Sequence, residues 1–255
     1  HSFPTRRSSD LREDGNRAGE ARTLGYLGRI FMYRGNYADA LEYHHLQLKI
    51  SEDIGFDEEK STALSYLGHL YSRLEKFRDA VESYTKSAEI DLELGNIDTW
   101  AGKQINIGMA FNHIDESKEA LKHHLKGLEI TRQTGNLYME SWALGGISKS
   151  YRKMGKLDTA LAYLNEKYAL AKDLNDEQQQ LDALIEFGKV FTDLARYGKA
   201  ITNIENGIKL ASEKGFQPHL IRCYETMSNA YRRQGDYEKA FEFYEKFHQL
   251  KETIH

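Results

Sequence analysis

Gln234-Gly235-Asp236-Tyr237-Glu238-Lys239-Ala240-Phe241-Glu242-Phe243-Tyr244 reads as a short break followed by a helix with a small residue, Ala240, early in its apolar face. The same pattern is written six times. Ala40, Ala80, Ala120, Ala160, Ala200 and Ala240 stand 40 residues apart without drift. A period between about 20 and 50 residues marks a repeat architecture, in which each unit buries its apolar face only against its neighbours.

Working outward, the break after each second helix falls at Gly55, Gly95, Gly135, Asn175 and Gly215. Gly or Asn just past a helix end takes the left-handed conformation that closes it. First helices are expected to begin near Asp57, Asp98, Met139, Glu177 and Pro218, the proline fitting a helix start. Within each pair the turn falls near Gly35, Glu75, Asp115, Gly155, Ala195 and Gly235. Asn36 and Asp236 are natural N-caps for the helices that follow.

The first helices carry apolar rows at spacings of three and four, such as Leu64, Leu67 and Tyr71, or Leu184, Phe187 and Phe191. A small residue sits inside each row: Gly28, Gly68, Gly108, Ser148, Gly188 and Ser228. Glycine inside a helix costs about 1 kcal/mol against alanine, so its recurrence needs a packing reason. The expected reason is a close helix crossing with the alanine twelve residues on, Gly108 facing Ala120.

The chain has 255 residues, 29% charged and 40% apolar, with only two prolines, Pro4 and Pro218. A net charge of -4 gives no electrostatic case for nucleic acid. A single cysteine, Cys223, excludes an intrachain disulfide and a paired-cysteine metal or redox motif. No apolar run approaches the roughly 18 residues of a membrane span, and a cytoplasmic setting is the default. Residues 1–11 read as the translation of a sequencing adapter, and residues 12–20 as the tail of a truncated earlier repeat. Gly15-Asn16 lies in phase with Gly55 and Gly95-Asn96. The six repeats are then 21–60, 61–100, 101–140, 141–180, 181–220 and 221–255.

These residues resemble the tetratricopeptide repeat, whose pattern is matched by Leu64, Leu67-Gly68, Tyr71, Ala80 and Tyr84. Departures are Gln104 at the first large position, Leu164 and Ile204 at the last aromatic one, and a displaced proline, Pro218. The resemblance covers Ala21 onward. It implies an all-α, right-handed superhelical solenoid of antiparallel helix pairs, similar to the long repeats of polarity and spindle adaptors and of bacterial signalling proteins. The run from Tyr244 to Glu252 is similar to the last helix of bacterial tetratricopeptide sensor regions.

In this family the first helices line a concave groove. Carried over position by position, the groove candidates are Arg22, Tyr26, Arg29 and Tyr33 in repeat one and Ser65, Tyr66, His69 and Arg73 in repeat two. Repeat three offers Asn106, Met109, Asn112 and His113, and repeat four Trp142, Lys149, Arg152 and Lys153. Repeat five offers Asp182, Glu186, Lys189 and Asp193, and repeat six Arg222, Asn229, Arg232 and Arg233. Repeats one, four and six are basic there and repeat five acidic. That bias predicts a protein or peptide partner with acidic or carboxylate groups, clamped by arginine, and neither nucleic acid nor membrane.

Catalytic and metal motifs are absent: no Walker loop, GxGxxG, GxSxG or HExxH pattern occurs. Glu42/His45 and Glu245/His248 have a spacing used in di-iron bundles but lie in repeats one and six, so they read as solvated or packing residues. His44 and His124 hold the slot of Tyr84 and Tyr244 and read as aromatic-like core, and Cys223 as a buried small residue. The expected function is a non-catalytic protein-interaction scaffold without a cofactor. The alternative is the sensory or regulatory region of a larger signalling enzyme, a nucleotide cyclase or histidine kinase. The open apolar stripe of Phe243, Phe247, Leu250 and Ile254 reads as a junction to further sequence.

Overall fold

The computed structural model describes residues 8–254, and the side chains from residue 16 to 253. Residues 1–7 of the segment read as an adapter, and the side chain of Ile254, lie outside the described residues. Among the described residues the chain is all-α: α1 (Ser8–Tyr33), α2 (Tyr37–Ile54), α3 (Asp57–Arg73), α4 (Phe77–Glu93), α5 (Ile97–His113) and α6 (Ser117–Thr134) form one compact unit. A second holds α7 (Leu137–Lys153), α8 (Leu157–Asp173), α9 (Glu177–Asp193), α10 (Tyr197–Lys214), α11 (Gln217–Gln234) and α12 (Tyr237–Ile254). Odd-numbered helices are the first of each pair and even-numbered the second. Within each unit every helix packs on the next, and first helices also touch, α1 with α3, α7 with α9 and α9 with α11.

The backbone repeats more finely than the side chains. Among the described residues the eleven with positive φ fall 20 positions apart, from Gly35 through Gly55, Glu75 and Gly95 to Gly235. At ten of them the helix closes by the same device, as where the Lys76 amide donates to the Tyr71 carbonyl at 2.8 Å, and at Gly135 the glycine amide itself donates to the Thr131 carbonyl. Glu75, Asp115, Asn175 and Ala195 take this conformation without glycine, with φ of 59°, 62°, 54° and 55°. Side-chain L-residues adopt it at a cost, which the packing on both sides of the turn overrides. The expected caps form: Asn36 accepts from the Asp39 amide at 3.4 Å and Asp236 from the Lys239 amide at 3.2 Å. Asn136 and Asp176 cap α7 and α9 in the same way.

The core corrects one expectation. The alanines at 40, 80, 120, 160 and 200 are fully buried, but the glycines face the large residue four positions further on. A β-carbon on Gly28 would meet the His44 ring at 2.6 Å, and one on Gly68 the Tyr84 ring at 2.7 Å. Gly108 likewise faces His124, and Gly188 faces Ile204. The glycine therefore makes room for a bulky slot residue rather than for an alanine methyl. The alanine contributes its backbone instead: where serine replaces glycine, Ser148 donates to the Ala160 carbonyl at 2.9 Å and Ser228 to that of Ala240 at 2.8 Å. His44 and His124 fill their slots fully buried, His44 stacking on Tyr66 with centroids 4.9 Å apart.

Candidate binding faces on the first helices

In the first unit the faces of α1, α3 and α5 form two adjoining depressions. One, of about 140 Å³, lies between α1 and α3 and is lined by Arg22, Gly25, Tyr26, Arg29, Gln47, Glu59, Thr62 and Tyr66. The other, of about 330 Å³, lies between α3 and α5, which do not pack on each other as α1 and α3 do. Its walls are Glu58, Ser61, Thr62, Ser65, Tyr66, His69, Asp91, Asn96, Thr99 and Lys103. Thr62 and Tyr66 belong to both.

Tyr66 is held from two sides. His44 stacks on one side at an interplanar angle of 8°, and the Arg29 guanidinium lies 5.6 Å from its ring centre. His69 follows one turn later with its Nδ1 2.9 Å from the Tyr84 hydroxyl. Burial pushes its pKa down, and the charges of Lys103 and Arg73 push the same way, so the ring is neutral. Polar groups line the floor. Ser61 and Ser87 hydroxyls lie 2.9 Å apart, Ser61 donates to Asp91, and Lys103 pairs with the Asp91 carboxylate at 3.2 Å.

Of the groove candidates in this unit, Arg22, Tyr26, Arg29, Tyr66 and His69 line a depression. Arg73 and Met109 are exposed nearby on α3 and α5, and Asn106 is half-buried. Asn112 is a correction: it is 1% exposed, with its amide 3.2 Å from the His124 ring. Its side chain belongs to the core, where it meets the slot histidine twelve residues on. Gln47, Glu59, Asp91 and Lys103 were missed. Gln47 and Asp91 come from second helices, and nothing in a one-helix periodicity marks a side chain that reaches across its own pair.

In the second unit the charges of α7, α9 and α11 meet one another. Arg152 holds Glu186 at 2.6 Å and Asp193 at 3.1 Å. Arg233 holds Asp193 at 2.7 Å and Arg222 holds Asp182 at 2.5 Å. Burial alone would raise the carboxyl pKa values of Asp182 and Glu186, but the surrounding cations outweigh it and keep both well below the usual range. Three of the four candidate arginines here are therefore engaged with repeat five, and among the described residues Arg232, bonded to Asn229 at 2.9 Å, has no acid partner. The signal was present in the sequence: neighbouring first helices bring residues about 40 apart into contact, and 193/233 and 182/222 pair opposite charges at that spacing. Lys149 is half-buried, and desolvation lowers its pKa with help from Lys189, Lys153 and Arg152 against Glu186. Lys189 lies 3.4 Å from Glu186.

Among the described residues no three metal-ligating side chains converge, and no helix is long and apolar enough to cross a membrane. Cys223 is fully buried and its thiol is pushed up to about 12 by burial, so it carries no thiolate at neutral pH.

No curated protein matches the sequence. Solved structures match the fold. The apo form of RapI superposes with a TM-score of 0.81 at 18% identity, covering 92% of this chain and 84% of its own. A Rap protein complexed with competence and sporulation factor gives 0.69 at 17%, covering 92% and 76%. NprR in complex with its cognate peptide NprX gives 0.71 at 16%, covering 89% and 66%. Identities this low speak for the fold alone. The sequence itself matches the tetratricopeptide repeat model three times in succession, over residues 19–93, 101–173 and 179–253. With helix pairs, buried alanines and glycine-slot contacts recurring in step with those matches, the chain belongs to the tetratricopeptide repeat family.

Proposed function

We propose that this chain is a non-catalytic scaffold that binds a segment of a partner protein on its first-helix faces. The observation that carries this is the pair of adjoining depressions that meet at Tyr66 and Thr62. They offer an aromatic ring, a guanidinium, several hydroxyls and an ion pair side by side, the mix that peptide-binding surfaces use. Of the similar structures, one is a Rap protein complexed with competence and sporulation factor and another is NprR with its cognate peptide NprX. The partner segment is acidic where it meets the second unit. Of the charged candidates on α7, α9 and α11, seven are basic (Lys149, Arg152, Lys153, Lys189, Arg222, Arg232, Arg233) and three acidic (Asp182, Glu186, Asp193). The lone buried thiol suits a reducing, cytoplasmic setting.

The test is selection of binders from a phage-displayed library of random dodecapeptides. Tyr66→Ala should weaken the selected peptides about tenfold or more, as loss of an aromatic anchor does, with helicity unchanged. Selected peptides that bind the variant as tightly as the parent would remove the first unit's face from the site.

A further inference from the structure

Among the described residues of the second unit, one largely buried cation has no acid or carbonyl partner. Lys167 belongs to α8, a second helix, yet its ammonium extends to the first helix of its pair, where a β-carbon on Gly145 would lie 2.8 Å from Nζ. The Trp142 ring centre is 5.6 Å away. The side chain is only 5% exposed, while Trp142 and Gly145 are half-buried on α7. Among the described residues no carboxylate or carbonyl stands within hydrogen-bond or ion-pair distance of it, although Asp182, Glu186 and Asp176 are near enough to be felt. Those two are already held, Asp182 by Arg222 and Glu186 by Arg152.

The first unit uses the same device with another residue. Gly25 makes room for Gln47, as Gly145 does for Lys167. Gln47 is satisfied internally: its Oε1 lies 2.9 Å from His44 Nδ1, and its Nε2 donates to Glu59 at 2.9 Å. The two glycine windows thus deliver one polar group with partners and one without. A lysine this far buried without an acid partner is costly, and such a cost persists where a ligand removes it.

We propose that Lys167, threaded past Gly145 beside Trp142, anchors a carboxylate of a bound peptide in the second unit. The proposal rests on the reading of the first-helix faces as peptide sites, and adds the residue and the ligand group. The ammonium supplies up to three donors in a site that excludes most water, and the indole covers the apolar flank of the same ligand residue. Burial lowers the Lys167 pKa, and a carboxylate against it would restore the ordinary value. The carboxylate can be a chain terminus or an Asp or Glu side chain, and the test separates them.

The full chain with Trp100→Phe leaves Trp142 as its one tryptophan. Its emission is followed while three acetylated pentapeptides are added: penta-alanine with a free carboxyl terminus, amidated penta-alanine, and the amidated peptide with a central glutamate. We expect a saturable change with at least one carboxylate peptide and none with amidated penta-alanine. A response to the first alone assigns a terminal carboxylate, and to the third alone a side chain. Lys167→Met should weaken that response at least about tenfold, the scale of a charge-assisted hydrogen bond, and should raise Tm rather than lower it. Gly145→Ala, which displaces only the flexible lysine tip, should weaken it while the fold is kept. No response in the parent, equal responses to all three peptides, or an unchanged response in both variants would overturn the proposal. Library peptides that still depend on Tyr66 would then show that the scaffold reading survives and only the Lys167 site falls.

Discussion

Gly108 and His124 are in such close register that a β-carbon on the glycine would stand 2.7 Å from Cε1 of the imidazole. The ring cannot swing aside, since it is fully buried and its Nε2 lies 3.2 Å from the Asn112 amide. Gly108→Ala should therefore destabilise the first unit by about 1–3 kcal/mol through overpacking, despite alanine's better helix propensity. Urea denaturation checks this, and an alanine variant as stable as the parent would contradict the glycine-slot packing.

Acid should loosen the two units at different pH. Burial holds His44 and His123 below the ordinary histidine value, so the folded first unit binds fewer protons than its unfolded chain. That stability is complete above about 6.5, the unfolded value, and is lost as pH falls toward the folded values. In the second unit Asp182 and Glu186 are depressed by their cations against the pull of burial. Their contribution is complete above about 4.3 and is lost only below it. Single-tryptophan variants that keep Trp100 or Trp142 should report urea midpoints that fall between pH 7.5 and 5.5 for the first unit and hold for the second.

Asp91, 4% exposed, accepts from Ser61 and pairs with Lys103. Asp91→Asn leaves that ammonium in place without its counter-charge and should cost roughly 3 kcal/mol. Adding Lys103→Met should return part of the loss. A double-mutant cycle with no coupling would show that the pair does not stabilise α4 against α5.

Charge reversal separates the two kinds of arginine in the second unit. Arg152→Glu sets a third carboxylate against Glu186 and Asp193 and should lose about 2 kcal/mol or more. Arg232→Glu, at an exposed site with no acid partner, should stay within about 0.5 kcal/mol. Arg232 is thus the residue at which a change in binding to acidic peptides can be measured without a change in fold. Equal losses of stability in the two variants would argue against the Arg152 cluster.

Much of the fold was legible. The 40-residue period, the left-handed residues at 55, 95, 135, 175 and 215 and the caps at Asn36 and Asp236 are local features, set by backbone conformation and nearest neighbours. The faces were legible only as positions. The family resemblance placed Arg152, Arg222 and Arg233 on the groove face with Arg232, but not the carboxylates that hold the first three. It placed Asn112 beside Met109 although the amide turns inward to His124.

By itself, then, the sequence determined the helix pairs and their period, because these follow from three- and four-residue spacing and the chemistry of glycine, and its family resemblance marked the stripe of each first helix that faces the groove. Only the tertiary structure decided which groups on those stripes are left with something to bind. Gln47 and Lys167 pass glycine windows of the same kind, and whether each ends on Glu59 or on nothing depends on where a separate helix places its side chains. Burial turns that difference into free energy: a polar group that would be content in water needs a partner once the neighbouring helix removes its solvent.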